Sequence, residues 1–183
     1  MLRALPLLLL CAAAHAAEVQ LPPAPLAAFV DTESVTNTPL GGMMASARLV
    51  RCTIELTAMP SNCVELAFGR DADCDGALAE AETATRLGWD SGVWFIEGGT
   101  NRLEVAVAEP SSPARFDPSL RVDERGAPVA WSCGAFTNLP AQPPTWLFSR
   151  EWNAVRLAVR GFGPRDEFVS VRLDADASVL ILR

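Results

Sequence analysis

Val50-Arg51-Cys52-Thr53-Ile54-Glu55-Leu56-Thr57-Ala58 is the stretch on which the fold turns. Val50, Cys52, Ile54, Leu56 and Ala58 share one parity, while Arg51, Thr53, Glu55 and Thr57 share the other. Successive side chains of a strand point to opposite faces, so the pattern describes a strand with one face buried and the other in water. A helix would scatter the same apolar residues around its circumference.

The same period recurs on both sides of this stretch. After Met59-Pro60-Ser61, the residues Val64, Leu66 and Phe68 continue the inward set, and a hairpin pairing Ala58 with Asn62 and Cys52 with Phe68 keeps both faces in phase. Residues 93–97, the turn Gly98-Gly99-Thr100-Asn101, and Leu103, Val105 and Val107 read as a second hairpin. Val155, Leu157 and Val159 alternate with Arg156, Ala158 and Arg160. Gly161-Phe162-Gly163-Pro164 then turns the chain into residues 168–173, and Asp174-Ala175-Asp176-Ala177 turns it again into 179–182. Residues 129–133 and 145–148 are expected as short strands, and 109–128 as loop. Ahead of them all, residues 17–46 form a proline-rich segment, with 21–25 a polyproline-like spacer and 27–35 a first edge strand. One segment breaks the pattern: residues 77–87 lack Pro and Gly and are followed by Gly88, which predicts a short helix. Many short alternating strands imply an all-β fold, an antiparallel jelly-roll-like β-sandwich forming one domain over 47–183.

Composition narrows the chemistry. The 183 residues carry a formal charge of −7, every basic residue is Arg, there is no Tyr, and the one histidine is His15. His15 lies in a leader: Met1-Leu2-Arg3 is positive, residues 4–13 are apolar, and Ala14-His15-Ala16 is a small-x-small site, the three parts of a secretory signal peptide cut after Ala16. The run is shorter than the roughly 20 residues of a membrane span and contains Pro6, and acylation at Cys11 is disfavoured by the bulky Leu10 before it. The expected mature chain, secreted or periplasmic, has no His, Lys or Tyr, which removes the Ser-His, Cys-His, Ser-Lys and Schiff-base routes to an activated nucleophile. Its scattered arginines among more numerous acids do not form the basic patch that nucleic acid requires.

Asp71-Ala72-Asp73-Cys74-Asp75-Gly76-Ala77-Leu78-Ala79-Glu80-Ala81-Glu82 resembles the EF-hand calcium loop and the shorter loops of dockerin-type modules. The resemblance implies one calcium ion held by Asp71, Asp73 and Asp75, by the backbone carbonyl of Ala77, and by both oxygens of Glu82. A water would stand in for the side chain that Ala79 lacks. Gly76 would supply the positive φ that bends the chain around the ion, and Leu78 would anchor the loop. The competing reading is a solvated acidic turn at the start of a helix. A strand over 63–69 stands where an EF-hand has its first helix, and no second loop follows, so a single structural site is expected rather than a calcium-sensing switch.

Cys52, Cys63, Cys74 and Cys133 remain after cleavage, an even number for an oxidising compartment. Cys52 and Cys63 point to opposite faces of the expected hairpin, and Cys63 and Cys74 are separated by roughly 20 Å of extended chain against a limit of about 7 Å. Elimination leaves Cys52 with Cys74 and Cys63 with Cys133. Glu55, Glu65, Glu97 and Glu104 are the strand-borne carboxylates that a glycoside hydrolase would need, but they occupy the outward phase of solubilising residues, as Asp123-Glu124 and Asp166-Glu167 do in loops. Of the five tryptophans, Trp94 and Trp131 are expected inside, leaving Trp89, Trp146 and Trp152 as candidates for an exposed sugar platform of the kind found in carbohydrate-binding modules. The sequence thus points to a non-enzymatic calcium-binding β-sandwich with a structural or binding role, its partner a carbohydrate or another cell-surface protein. A carbohydrate-binding module is the alternative.

Overall fold

Residues of one parity point inward along the strands and two sheets close over them, while at 64–69 and 157–159 the other parity is buried as well. The computed structural model describes residues 17–25, 34–56, 63–106, 114–134, 139–160 and 168–177. These contain β1 (Ala17–Pro25), β2 (Ser34–Pro39), β3 (Ala47–Leu56), β4 (Cys63–Gly69), β5 (Thr83–Asp90), β6 (Val93–Gly98), β7 (Asn101–Ala106), β8 (Ala114–Phe116), β9 (Ser119–Val122), β10 (Pro128–Ser132), β11 (Ala154–Arg160) and β12 (Phe168–Ala177). The first sheet runs β1-β12-β3-β9-β10 with β8 also on β3, and the second runs β2-β11-β4-β5-β6-β7. All pairings are antiparallel, and β1, β2, β11 and β12 place early and late strands side by side in both sheets, the wrapping of a jelly-roll-like sandwich. Among the described residues, no helix is long and apolar enough to cross a membrane.

Register explains the core. In the second sheet Leu157, Leu66, Leu87, Ile96 and Leu103 form one aliphatic row across five strands. Cys52 and Ile54 face the same interior from the first sheet, opposite Leu173 and Val171 of β12. Trp94 stacks on Phe116 with ring centroids 4.9 Å apart, joining β6 to β8 across the sheets. Each fully buried side chain of this size contributes about 1.5–3 kcal/mol through burial.

Several expectations are overturned. Cys52 and Phe68 do not pair: β3 and β4 lie in different sheets, where Cys52 opposes Leu173 while Phe68 opposes Val155 and Thr85. Parity reports which face a residue takes and is silent about which strand it meets. The helix expected over 77–87 shrinks to a 3-10 turn at Glu80–Glu82, followed by β5. Thr85, Leu87 and Trp89 alternate inward there, so burial in a sheet overrides the helical propensity of the intervening Ala and Arg. Gly88 is not a helix stop but mid-strand, where a Cβ would lie 1.9 Å from the Val64 carbonyl oxygen. Asp174-Ala175-Asp176-Ala177 continues β12 instead of turning, with Ala175 buried against the core. Residues 145–148 hold a 3-10 turn, Thr145–Leu147, and residues 114–116 and 119–122, expected as loop, are β8 and β9. Residues 21–25 belong to β1, whose register shifts between Leu21 and Ala24, where Pro22 and Pro23 have no N–H to offer. The hairpin at Gly98–Asn101, the alternating strand β11 and the strand at 129–133, here β10, stand where they were expected.

The proposed disulfides are absent, and Cys52, Cys63, Cys74 and Cys133 are all thiols. Cys52 faces the interior from the first sheet while Cys74 is exposed in a loop beyond β4, and Cys63 starts β4 in the second sheet while Cys133 follows β10 in the first. The elimination that paired them assumed a β3–β4 hairpin. The leader, Cys11, Ala58, Asn62 and residues 179–182 lie outside the described residues.

Candidate metal centre

Loop 71–82 connects β4 to β5 and folds onto the outer face of the second sheet. Its anchor is Leu78, buried against Ala67 of β4 and Ala154 of β11. Around this contact, the loop is tied down by residues far away in sequence. Asn153 accepts from the Asp71 N–H at 2.8 Å and donates to the Asp71 carbonyl at 3.2 Å. Asn37 of β2 accepts from the Leu78 N–H at 3.0 Å, and Arg156 of β11 donates to the Leu78 carbonyl at 3.0 Å. Gly69 has no substitute, because a Cβ there would lie 2.0 Å from the Glu82 carbonyl oxygen.

Within the loop, carboxylates gather the backbone. Asp71 Oδ2 accepts from Gly76 N–H at 3.0 Å, and Gly76 has φ 87° as the bend was expected to require. Glu82 accepts from Ala72 N–H at 2.7 Å with one oxygen and from Ala79 N–H at 3.1 Å with the other. Asp71, Asp73 and Glu82 each offer a carboxylate oxygen, and these atoms lie within 4.8 Å of one another. Asp71 Oδ1 is buried without a hydrogen-bond partner. Asp75, also expected as a ligand, stays outside this group; its Oδ1 accepts from Ala77 N–H at 2.7 Å. Two like charges 4 Å apart repel by about 1 kcal/mol even in water, and by more where water is excluded. An all-oxygen donor set suits a hard cation such as calcium rather than zinc.

The other carboxylates are differently provided for. Glu65, with 12% of its side chain exposed, is met by Arg156 at 3.2 Å, Arg86 at 3.5 Å and Arg160 at 3.7 Å. Glu97 pairs with Arg86 at 3.1 Å and Arg102 at 2.9 Å, Glu104 with Arg102 at 2.5 Å, and Glu55 with Arg115 at 2.7 Å. Glu80, on the 3-10 turn, pairs with Arg86 and Arg156. All four glutamates considered for hydrolysis are therefore engaged by arginine.

Tryptophan exposure answers the question left by the sequence. Trp89, Trp94 and Trp152 are buried, and Trp131 and Trp146 are partly buried against the core. Trp146 lies over Gly98, where an added Cβ would come within 2.4 Å of its ring, and Trp131 donates its Nε1–H to the Pro140 carbonyl at 2.9 Å. None of the five forms an open platform. Thiol character also follows burial: the Cys52 thiol is pushed up by desolvation, and that of Cys63 is raised to about 11 by burial and by the nearby Asp90.

Asn153, Asn37 and Arg156 escaped the sequence reading, since no spacing rule joins Asp71 to a residue 82 positions away or Leu78 to one 41 positions away. The one trace was Arg156 itself, an arginine on the outward phase of a strand.

No protein-family model matches the chain, and no curated protein matches it. Among solved structures, it is similar to a fructofuranosidase variant from Schwanniomyces occidentalis in complex with fructosylnystose (12% identity, TM-score 0.42). That alignment covers 88% of this chain and 33% of the enzyme, so the chain spans about a third of that protein's length. It is also similar to the CBM2 module of the evolved Dit protein of Lactobacillus casei BL23 phage J-1, at 6% identity over 81% of this chain and 71% of that one, TM-score 0.39. A third likeness is to sheep galectin-11 in complex with glycerol, at 14% identity over 76% of this chain and 96% of that one, TM-score 0.35.

Proposed function

We propose that the chain is a secreted or periplasmic structural or binding protein, acting without a reaction of its own, in which loop 71–82 holds one calcium ion against the outer face of the second sheet. The observation that carries this reading is the convergence of Asp71, Asp73 and Glu82 within 4.8 Å beside the buried, partnerless Asp71 Oδ1. A cation would supply the partner that this oxygen lacks and offset three adjacent negative charges. Calcium takes 6–8 oxygens, so backbone carbonyls and water would complete the shell. With calcium in hundredfold excess over Kd, binding to the folded state alone adds about 2.7 kcal/mol, a rise in Tm of about 5–10 °C over the chelated protein for a chain of this size. Asp71→Ala should abolish that difference. Identical melts of the wild type in calcium and in chelator would overturn the proposal.

Carbohydrate binding is the second reading, favoured by a polar groove of about 210 Å³ beside the loop, lined by Glu80, Thr83, Arg86 and Glu97 and the Gly98-Gly99 turn. Without an exposed tryptophan, recognition would rest on hydrogen bonds to sugar hydroxyls. Retention on immobilised polysaccharides that is lost in Arg86→Ala would support it, and free passage of the wild type would remove it.

A further inference from the structure

We propose that β7 pairs edge to edge with β7 of a second copy of this chain, antiparallel and centred on Leu103, so that the two second sheets join into one. The surface lies at the opposite end of that sheet from β2 and involves no residue of the acidic loop. Of the four strands that end the sheets, β7 is the one suited to accept another. β1 carries Pro22 and Pro23 where its register shifts, and β10 starts at Pro128 with a shift between Pro128 and Ala130. Prolines and bulges are what keep a neighbouring chain from adding to an edge. β2 ends on Pro39 and has no charged residue to choose a register. β7 has no proline and pairs with β6 without a shift over all its 6 residues, and among the described residues its outer edge is unpaired.

The turn decides which backbone groups point outward. Gly98 pairs with Asn101 across Gly99 and Thr100, and the pair that closes such a two-residue hairpin exchanges hydrogen bonds. Hydrogen-bonded and non-hydrogen-bonded pairs alternate from there, so Asn101, Leu103 and Val105 bond to β6, while the N–H and C=O of Arg102, Glu104 and Ala106 point away from it. When two β7 edges meet antiparallel, these outward residues must oppose one another. Arg102 opposite Arg102, or Glu104 opposite Glu104, would set like charges together, and a longer shift would shorten the overlap. Arg102 of each copy opposite Glu104 of the other gives two opposite-charge pairs at once, as a twofold axis requires.

The inner face selects the same register. Leu103 then meets Leu103 of the second copy in a non-hydrogen-bonded pair, where Cα atoms come within about 4.5 Å. Leu103 packs against the core and is only partly buried, so this contact covers apolar surface left at the rim of the sandwich. The aliphatic row of Leu157, Leu66, Leu87, Ile96 and Leu103 continues into the second copy. On the outer face, Arg102 lies over the Phe95 ring at 4.4 Å and against Glu97 at 2.9 Å, which hold its guanidinium at the edge before a partner arrives.

Sedimentation velocity of the wild type, carried up to millimolar concentration, should show a reversible monomer–dimer equilibrium that is the same in calcium and in chelator. Glu104→Pro deletes an outward N–H at a position where an edge strand tolerates proline, and should weaken self-association at least tenfold. Arg102→Glu and Glu104→Arg each set like charges opposite one another and should weaken it as much, while an equal mixture of the two should form a mixed dimer, since every pair then joins opposite charges. If a variant does not fold, hydrogen exchange of the wild type gives the answer: the Arg102 and Glu104 amides should gain at least tenfold protection on concentration, and those of Leu103 and Val105 should not change. A wild type that stays monomeric, a folded Glu104→Pro that dimerises as the wild type does, a mixture that associates no better than either variant alone, or Arg102 and Glu104 amides indifferent to concentration would overturn the proposal.

Discussion

Two acidic regions share the outer face of the second sheet, and their carboxylates are partnered in different ways. Around Glu65, every carboxylate has a guanidinium: Arg86, Arg156 and Arg160 surround Glu65, Arg86 and Arg102 hold Glu97, and Glu80 bridges Arg86 and Arg156. In loop 71–82, the salt bridges of the described residues bypass Asp71, Asp73 and Glu82, whose oxygens meet backbone N–H groups instead. The nearest arginine in sequence, Arg70, turns to Glu151. The chain balances the first region's charge itself, whereas the three carboxylates of the second have no arginine among the described residues, and it is their charge that the proposed calcium would offset. The 3-10 turn joins the regions, because Glu80 belongs to the arginine lattice and Glu82 to the loop.

The largest effect is expected from breaking the lattice. Glu65→Ala takes the shared carboxylate from three arginines, and because Arg86 and Arg156 keep Glu80 and Glu97 the loss is expected at the low end of the range for a buried pair, about 3 kcal/mol. Urea denaturation should show that loss equally with calcium and with chelator. A calcium-dependent loss would mean that the two regions are not independent.

Leu78→Ala comes next and tests the junction. It removes the side chain that seats the loop on Ala67 and Ala154, a deletion costing about 2–3 kcal/mol at the lower end of the range for buried leucines, since one side of the site can relax. Here the loss should be accompanied by weaker calcium binding, measured by calorimetric titration. Unchanged affinity would show that the acidic cluster forms without its anchor.

The smallest effect is on reactivity rather than stability. Cys74 is exposed within the loop, whereas Cys63 is half-shielded with a thiol raised to about 11, and Cys52 is fully buried. A raised pKa leaves little thiolate near neutrality, so alkylation of Cys63 should accelerate about tenfold per pH unit from pH 8 towards 11. Cys74 should label first at pH 8 and Cys52 only on unfolding. Labelling Cys74 with and without calcium sharpens the contrast between the regions, since an ion that orders the loop should slow Cys74 and leave Cys63 unchanged.

What could be read in the sequence follows from what periodicity encodes. Val50–Ile54 and Val155–Val159 announced strands because their apolar residues repeat every second position, and the Gly98–Asn101 hairpin announced itself because both strands and the turn are local. Partner choice was not readable. The link from β3 to β4 crosses between sheets, and nothing in residues 57–62 marks the crossing. β5 reads as a helix because Ala84 and Arg86 carry helical propensity, while the burial of Thr85, Leu87 and Trp89 that overrides it is a tertiary fact. Ala175 misled similarly, a small residue at an inward position flanked by two aspartates that resemble a turn. The acidic loop was legible because its residues are consecutive, and its clamps were not, because Asn37, Asn153 and Arg156 come from β2 and from in and around β11.

In the proposed function the loop needs a cation that the arginine lattice does not. That need is tested most directly by equilibrium dialysis against calcium, comparing the wild type with Asp71→Ala, Glu82→Gln and Glu97→Gln. One ion per chain is expected for the wild type and for Glu97→Gln, none for Asp71→Ala, and affinity reduced at least tenfold for Glu82→Gln. Failure of the wild type to bind calcium, or equal binding by Asp71→Ala, would contradict it.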